Sequence, residues 1–190
     1  NVYRDFVELP SQIMENWATE KEYLDMWAVH YQTGEAIPAE MVQKLNASRY
    51  FQPATDIMGQ LCVGKLDLEM HINYASKFAG KDLDAASNDL LRPWRIAMTA
   101  DAPSIMRHLT HCINGGYAGG YYSYKWAEVL AADAFTRFKK EGVMNEKTGA
   151  DFRKFILSVG DGKPAAEAYR DFMGRDPNPD ALLQSHGLAD

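Results

Sequence analysis

Apolar side chains in this 190-residue chain recur at helical intervals, and proline or glycine punctuates the segments they define. Such spacing lays one apolar stripe along each segment, so the segments must pack stripe against stripe. Strands would need apolar and polar residues to alternate between hairpin turns, and no stretch does so. The expectation is an all-α, multi-helical fold. It forms one compact unit over 1–190, with no linker, internal repeat or low-complexity tract. The spacing predicts helices over 5–17, 19–31, 39–45, 53–70, 82–91, 121–140, 149–158, 164–173 and 179–185. Pro10 fits a helix only in its first turn, where its missing N–H is not needed. Gly59 and Gly64 each weaken the 53–70 helix by about 1 kcal/mol relative to alanine. The stretch 94–114 reads as a loop carrying one helical turn near 104–109. Gly142, Gly160, Gly174 and Gly187 read as helix stops.

Charge and composition exclude several functions. The net charge is -6, whereas nucleic-acid binding needs a basic footprint. No apolar run approaches the roughly 18 residues that span a bilayer. Cys62 and Cys112 are too few for a disulfide framework. They read as thiols of a reducing compartment, with one disulfide still possible. The chain opens on Asn1-Val2-Tyr3-Arg4, neither a signal peptide nor a tag. It reads as a cloned or proteolysed piece of a longer polypeptide.

Two stretches can carry chemistry. In Asp5-Phe6-Val7-Glu8-Leu9-Pro10-Ser11-Gln12, helical geometry puts Glu8, Gln12 and Glu15 on one face. A carboxylate among Phe6, Val7 and Leu9 is partly desolvated and calls for a neutralising partner. A metal ion or Arg4 would serve; the alternative is an ordinary amphipathic helix with solvated acids. In His111-Cys112-Ile113-Asn114-Gly115-Gly116-Tyr117-Ala118-Gly119-Gly120-Tyr121-Tyr122-Ser123-Tyr124, glycines permit close backbone approach and tyrosines offer O–H donors. At about 100° per residue Tyr121 and Tyr124 share a helix face and Tyr122 lies elsewhere. Tyr117 joins that face only if the helix begins early. Convergent phenols can stabilise an oxyanion; the alternative is a glycine-rich packing turn with aromatic core residues. His30, His71, His108 and His186 are isolated, although His108 and His111 could meet across one helical turn. No nucleophile elbow and no phosphate-binding glycine loop is present.

Together the two stretches resemble the thimet oligopeptidase, oligopeptidase A and peptidyl-dipeptidase family. The run on through Trp126 to Asp133-Ala134-Phe135 fits as well. So does the ending Phe172-Met173-Gly174-Arg175-Asp176-Pro177 followed by Asp180-Ala181-Leu182-Leu183. The spacing from His111 to Tyr117 is closer to the bacterial branch than to the animal one. The resemblance implies the carboxy-terminal catalytic-domain segment of a zincin-type oligopeptidase, one zinc ion in the parent, and short peptide substrates. It implies Glu8 as the third zinc ligand, and His111, Tyr117 and Tyr124 as catalytic groups. Tyr121, Gly115 and Gly116 are implied to bind substrate. The family's other two ligands and its general base lie on a His-Glu-x-x-His helix, which this sequence does not contain. That helix and the amino-terminal half would belong to the same polypeptide upstream. The segment alone would then be inactive and would retain no tight zinc. The family, with the two thiols, implies a cytoplasmic location without nucleic-acid or membrane partners. Ile113 and Asn114 depart from the family's usual aromatic and small residues at those positions. The rival is a helical binding or scaffold module without chemistry.

Overall fold

The computed structural model describes residues 2–95 and 103–189. The described residues form α1 (Arg4–Val7), α2 (Leu9–Glu15), α3 (Lys21–Leu24), α4 (Ala39–Ser48), α5 (Pro53–Ile72) and α6 (Tyr74–Lys77). Then come α7 (Leu83–Leu91), α8 (Thr110–Ile113), α9 (Ser123–Glu141), α10 (Glu146–Phe152), α11 (Ala165–Met173) and α12 (Asp180–Ser185). Among the described residues the β structure is one isolated antiparallel bridge, Val29 with Ala36. The fold is all-α, as the spacing predicts. Backbone contacts divide the chain into two compact units, Asn1–Phe51 with Trp126–Asp190, and Gln52–Lys125. The sequence, read as one unit without a linker, does not announce this division.

The first unit is built on α9. Its buried Leu130, Ala131, Ala134, Phe135 and Phe138 fall at helical spacing and form one stripe. Phe6, Leu9 and Ile13 pack against that stripe, as do Phe152, Ile156, Ala168, Tyr169 and Phe172. Each such buried Leu, Ile or Phe stabilises the unit by about 1.5–3 kcal/mol. Trp17 sets its edge on Phe135 and Phe138, with ring centroids 4.7 and 4.8 Å away. Its indole N–H donates to the Val143 carbonyl at 2.9 Å. A buried carboxylate needs donors, and Asp133 has four: both Arg175 guanidinium nitrogens, the Tyr169 hydroxyl and the Asn178 amide. Burial alone would raise the Asp133 pKa, but the bonds from Arg175 and Tyr169 outweigh it and hold it below the usual value.

The segment expected as one helix over 5–17 is two, α1 and α2, because Pro10 has no N–H to offer the Phe6 carbonyl. Glu8 is the residue at that junction, and Pro10 sits in the first turn of α2. The helix expected over 19–31 stops at Leu24. Residues 28–37 double back instead: Ile37 N–H reaches Ala28 O, His30 N–H reaches Glu35 O, and Gly34 turns the chain at φ 74°. The ring nitrogen Nδ1 of His30 accepts from the Thr33 amide at 3.2 Å and stabilises the turn. The helix expected over 149–158 begins earlier, at Glu146. Asn145 caps it by accepting from Thr148 N–H, and it passes into a π-helical turn, Arg153–Leu157.

The second unit centres on α5, which Pro53 opens as expected. Cys62 and Leu66, one turn apart, pack with Phe78, Leu91, Leu109 and Cys112. Asp82 caps α7 by accepting from Ala85 N–H at 2.9 Å. Of the loop expected over 94–114, the stretch 96–102 lies outside the described residues. The expected turn near 104–109 is a 3₁₀ segment, Ile105–His108, capped by Ser104.

Candidate functional site

Glu8 belongs to the first unit. Phe6, Leu9 and Ile13 take the core positions of α1 and α2, which leaves Glu8 half-buried. The Ser11 hydroxyl lies 3.0 Å from Glu8 Oε2 and 3.0 Å from its carbonyl oxygen. The helical register carries through the junction, since Gln12 N–H donates to Glu8 O at 3.0 Å. Glu8 and Gln12 therefore stand one turn apart. Gln12 Oε1 is buried and has no hydrogen-bond partner among the described residues. A carboxylate is a sound zinc donor, and Glu8 fits as one ligand. No group of three or more His, Cys, Asp or Glu among the described residues is arranged to hold a metal.

The remaining expected site residues belong to the second unit and come together there. His111 lies in α8. The chain then turns back on it: Gly115 N–H reaches the carbonyls of Thr110 and His111, and Tyr117 N–H reaches His111 O at 3.0 Å. A side chain at Gly115 would put its Cβ 2.8 Å from His111 Cα, so the return requires glycine. Gly116 and Gly119 adopt left-handed φ of 77° and 66°, which a side chain would resist. The helix of Tyr124 begins at Ser123, so Tyr117 does not join by helical register. It joins because the glycine turns fold the loop back.

Four rings gather as a result. His111 stands edge-on to Tyr117, Tyr121 and Tyr124, with centroids at 6.2, 6.4 and 6.1 Å. Tyr117 stacks on Tyr124 at 5.0 Å, and Tyr121 lies 5.2 Å from Tyr124. Tyr117 is buried, while the His111 side is exposed. The Tyr121 hydroxyl donates to Gln60 Oε1 at 3.2 Å. Burial, then the neighbouring Tyr124, push the Tyr121 pKa above its ordinary value, so its phenol remains a donor at neutral pH. Tyr122 turns elsewhere, lining a groove of about 430 Å³ with Leu61, Gly64, Leu68 and Ile72. Phenols and an imidazole gathered in this way are groups that can donate hydrogen bonds to a polarised carbonyl and to the oxyanion that develops from it.

Sequence reasoning misses the residue beneath this loop. Asp67 of α5 is fully buried and accepts from Gly119 N–H at 3.0 Å and Tyr121 N–H at 2.9 Å. His71 Nδ1 lies 3.0 Å from Asp67 Oδ1 and 2.8 Å from its carbonyl. Both contacts are acceptors, so Nδ1 carries the proton. The Cys112 thiol also donates to Asp67; burial and then the Asp67 charge push that thiol up to about 12. The available signal was an Asp inside an apolar helix with a His four residues on.

Comparison with known proteins agrees with the family that the residues suggest. The model of peptidase family M3 matches residues 1–188. Oligopeptidase A of Escherichia coli is 41% identical over 187 residues, covering 97% of this chain and 27% of that protein. A protein of Arabidopsis thaliana named probable cytosolic oligopeptidase A is 39% identical over 192 residues, covering 99% of this chain and 27% of its own length. Dipeptidyl carboxypeptidase of Escherichia coli is 35% identical over 193 residues, covering 99% of this chain and 28% of that protein. The chain thus spans little more than a quarter of these relatives.

Proposed function

Since the chain belongs to peptidase family M3, we propose that its parent protein is a zinc metallopeptidase. It would hydrolyse short peptides, as an oligopeptidase or a peptidyl-dipeptidase. The observation that carries this reading is the gathering of His111, Tyr117, Tyr121 and Tyr124 on a glycine-rich loop. His111 keeps its imidazole exposed beside these rings, where a ligand can reach it.

Within that reading Glu8 contributes one zinc ligand. The remaining ligands and the general base come from the part of the parent polypeptide that precedes this segment. Zinc, when bound, polarises the scissile carbonyl and lowers the pKa of water toward 7. The chain's own residues do the rest. His111, Tyr117 and Tyr124 donate hydrogen bonds toward the oxygen that gains charge as the carbonyl becomes tetrahedral. Donors fixed before reaction need no reorganisation in the transition state, which is why they raise turnover. Gly115 and Gly116, without side chains, let a peptide backbone approach, and Tyr121 offers it an aromatic wall and a hydroxyl. The 190 residues alone would be inactive, because catalytic zinc needs three protein ligands. We place the parent in the cytoplasm, in line with the relative named as cytosolic.

The test uses the complete parent protein. Unaltered parent is expected to hydrolyse short quenched-fluorescent peptides, to lose activity to a chelator and to regain it with zinc. Glu8→Gln keeps the shape of the side chain but removes its charge. Zinc affinity is expected to fall by at least about 10²-fold, more than an outer-shell substitution costs. Metal analysis after dialysis reads this independently of turnover. One equivalent of zinc retained by Glu8→Gln would remove Glu8 from the ligand set.

A further inference from the structure

We propose that Asp67 is a positioning residue for the loop of His111, Tyr117, Tyr121 and Tyr124, acting through the backbone amides of Gly119 and Tyr121. The inference rests on the reading of that loop given above.

The loop's own composition works against a fixed shape. Gly115, Gly116, Gly119 and Gly120 give it wide backbone freedom, and ordering glycine costs more entropy than ordering any other residue. Its internal bonds tie Tyr117 to His111 and Gly120 to Tyr117. The two amides that follow the left-handed turn point down to α5 instead, where the fully buried Asp67 accepts both. Hydrogen bonds to a charged acceptor are about twice as strong as neutral ones. Since Tyr121 carries one of these amides and Tyr124 follows one helical turn later, the carboxylate sets where both phenols stand. His71 and Cys112 donate to the same carboxylate, so Asp67 itself is held in place on α5.

Asparagine is nearly the same size but offers one oxygen and one NH₂. Oδ1 faces Gly119 N–H and Oδ2 faces Tyr121 N–H. Whichever way the amide of D67N turns, its NH₂ meets a backbone N–H, and one loop amide loses its acceptor. Glutamate keeps the charge and both oxygens but displaces them by one methylene.

D67N and D67E are compared with the unaltered parent well below their melting temperatures, by amide hydrogen exchange and by peptide hydrolysis. D67N is expected to exchange the Gly119 and Tyr121 amides at least about ten-fold faster, with the remaining helices unchanged. Its kcat is expected to fall by about 10²-fold, the scale of a misplaced catalytic group, with KM moving little. D67E should fall between D67N and the parent in both readouts, and it carries the test should D67N fail to fold. Asp133→Asn, an equally buried carboxylate of the first unit whose donors are Arg175, Tyr169 and Asn178, is the control for general destabilisation. It should lower the melting temperature while leaving exchange at Gly119 and Tyr121 as it was. Unchanged exchange at those two amides in the Asp67 variants overturns the proposal, as does a kcat that does not follow their protection. An unaltered parent that hydrolyses no peptide would instead overturn the reading of function, and the exchange data would still decide whether Asp67 holds the loop.

Discussion

Gly115 illustrates how one residue can be legible by type and illegible by geometry. The density of glycines and tyrosines after His111 marks the stretch in the sequence. That Tyr117 reaches the same cluster as Tyr121 and Tyr124 does not follow from a helical wheel. It depends on the left-handed turns at Gly116 and Gly119, which periodicity does not encode. Asp67 was hidden for a related reason: a lone Asp in a helix reads as surface until the loop that buries it is placed. The return of the chain onto His111 makes a sharp prediction. In Gly115→Ala the new Cβ would lie 2.8 Å from His111 Cα and 2.9 Å from its carbonyl oxygen. Backbone atoms cannot swing aside as a flexible side-chain tip can, so overpacking should cost about 1–3 kcal/mol. Urea unfolding of the parent protein measures it, and an unchanged midpoint would mean that the turn opens more easily than this geometry allows.

Among the elements, those legible in the sequence are the ones whose stripes find a core. The helix predicted over 53–70 is α5, and that predicted over 121–140 is α9; both bury their periodic residues. The pattern over 19–31 is equally periodic, yet Trp27 is 57% and Tyr31 87% exposed. A stripe with nothing to pack against adds little to a short helix, whose nucleation is already unfavourable. The turn at Gly34 and the accepting nitrogen of His30 decide the segment instead. The sequence also flags Gly59 and Gly64 as weak points of α5, and the structure separates them. Gly64 packs beside Tyr122, whose Cα would lie 3.5 Å from an added Cβ; Gly59 is exposed with nothing within 4 Å. Gly59→Ala is therefore expected to stabilise the protein by about 0.8–1.0 kcal/mol through helix propensity alone. A urea midpoint that stays put or falls would show that α5 needs flexibility at that position.

At the scale of the whole molecule the sequence carries the family more plainly than the division into units. The boundary between Lys125 and Trp126 falls inside α9, so no loop composition could have marked it. The family signal survives because it rests on short stretches of matching residue types in the right order, and these do not depend on where a unit ends. The chain spans 27% of oligopeptidase A, and its proposed contribution to a longer peptidase is that the tyrosines of the glycine-rich loop stabilise a transition state rather than merely fill space. Tyr124→Phe in the complete parent tests this most directly, because it removes one hydroxyl and keeps the ring that stacks on Tyr117. Tyr122→Phe, on a side chain 46% exposed and turned into another groove, is the matched control. The account predicts that Tyr124→Phe lowers kcat by about 10²–10³-fold at nearly unchanged melting temperature, while Tyr122→Phe leaves both alone. Near-normal kcat in Tyr124→Phe together with a clearly lower melting temperature would contradict it, and would make Tyr124 a packing residue.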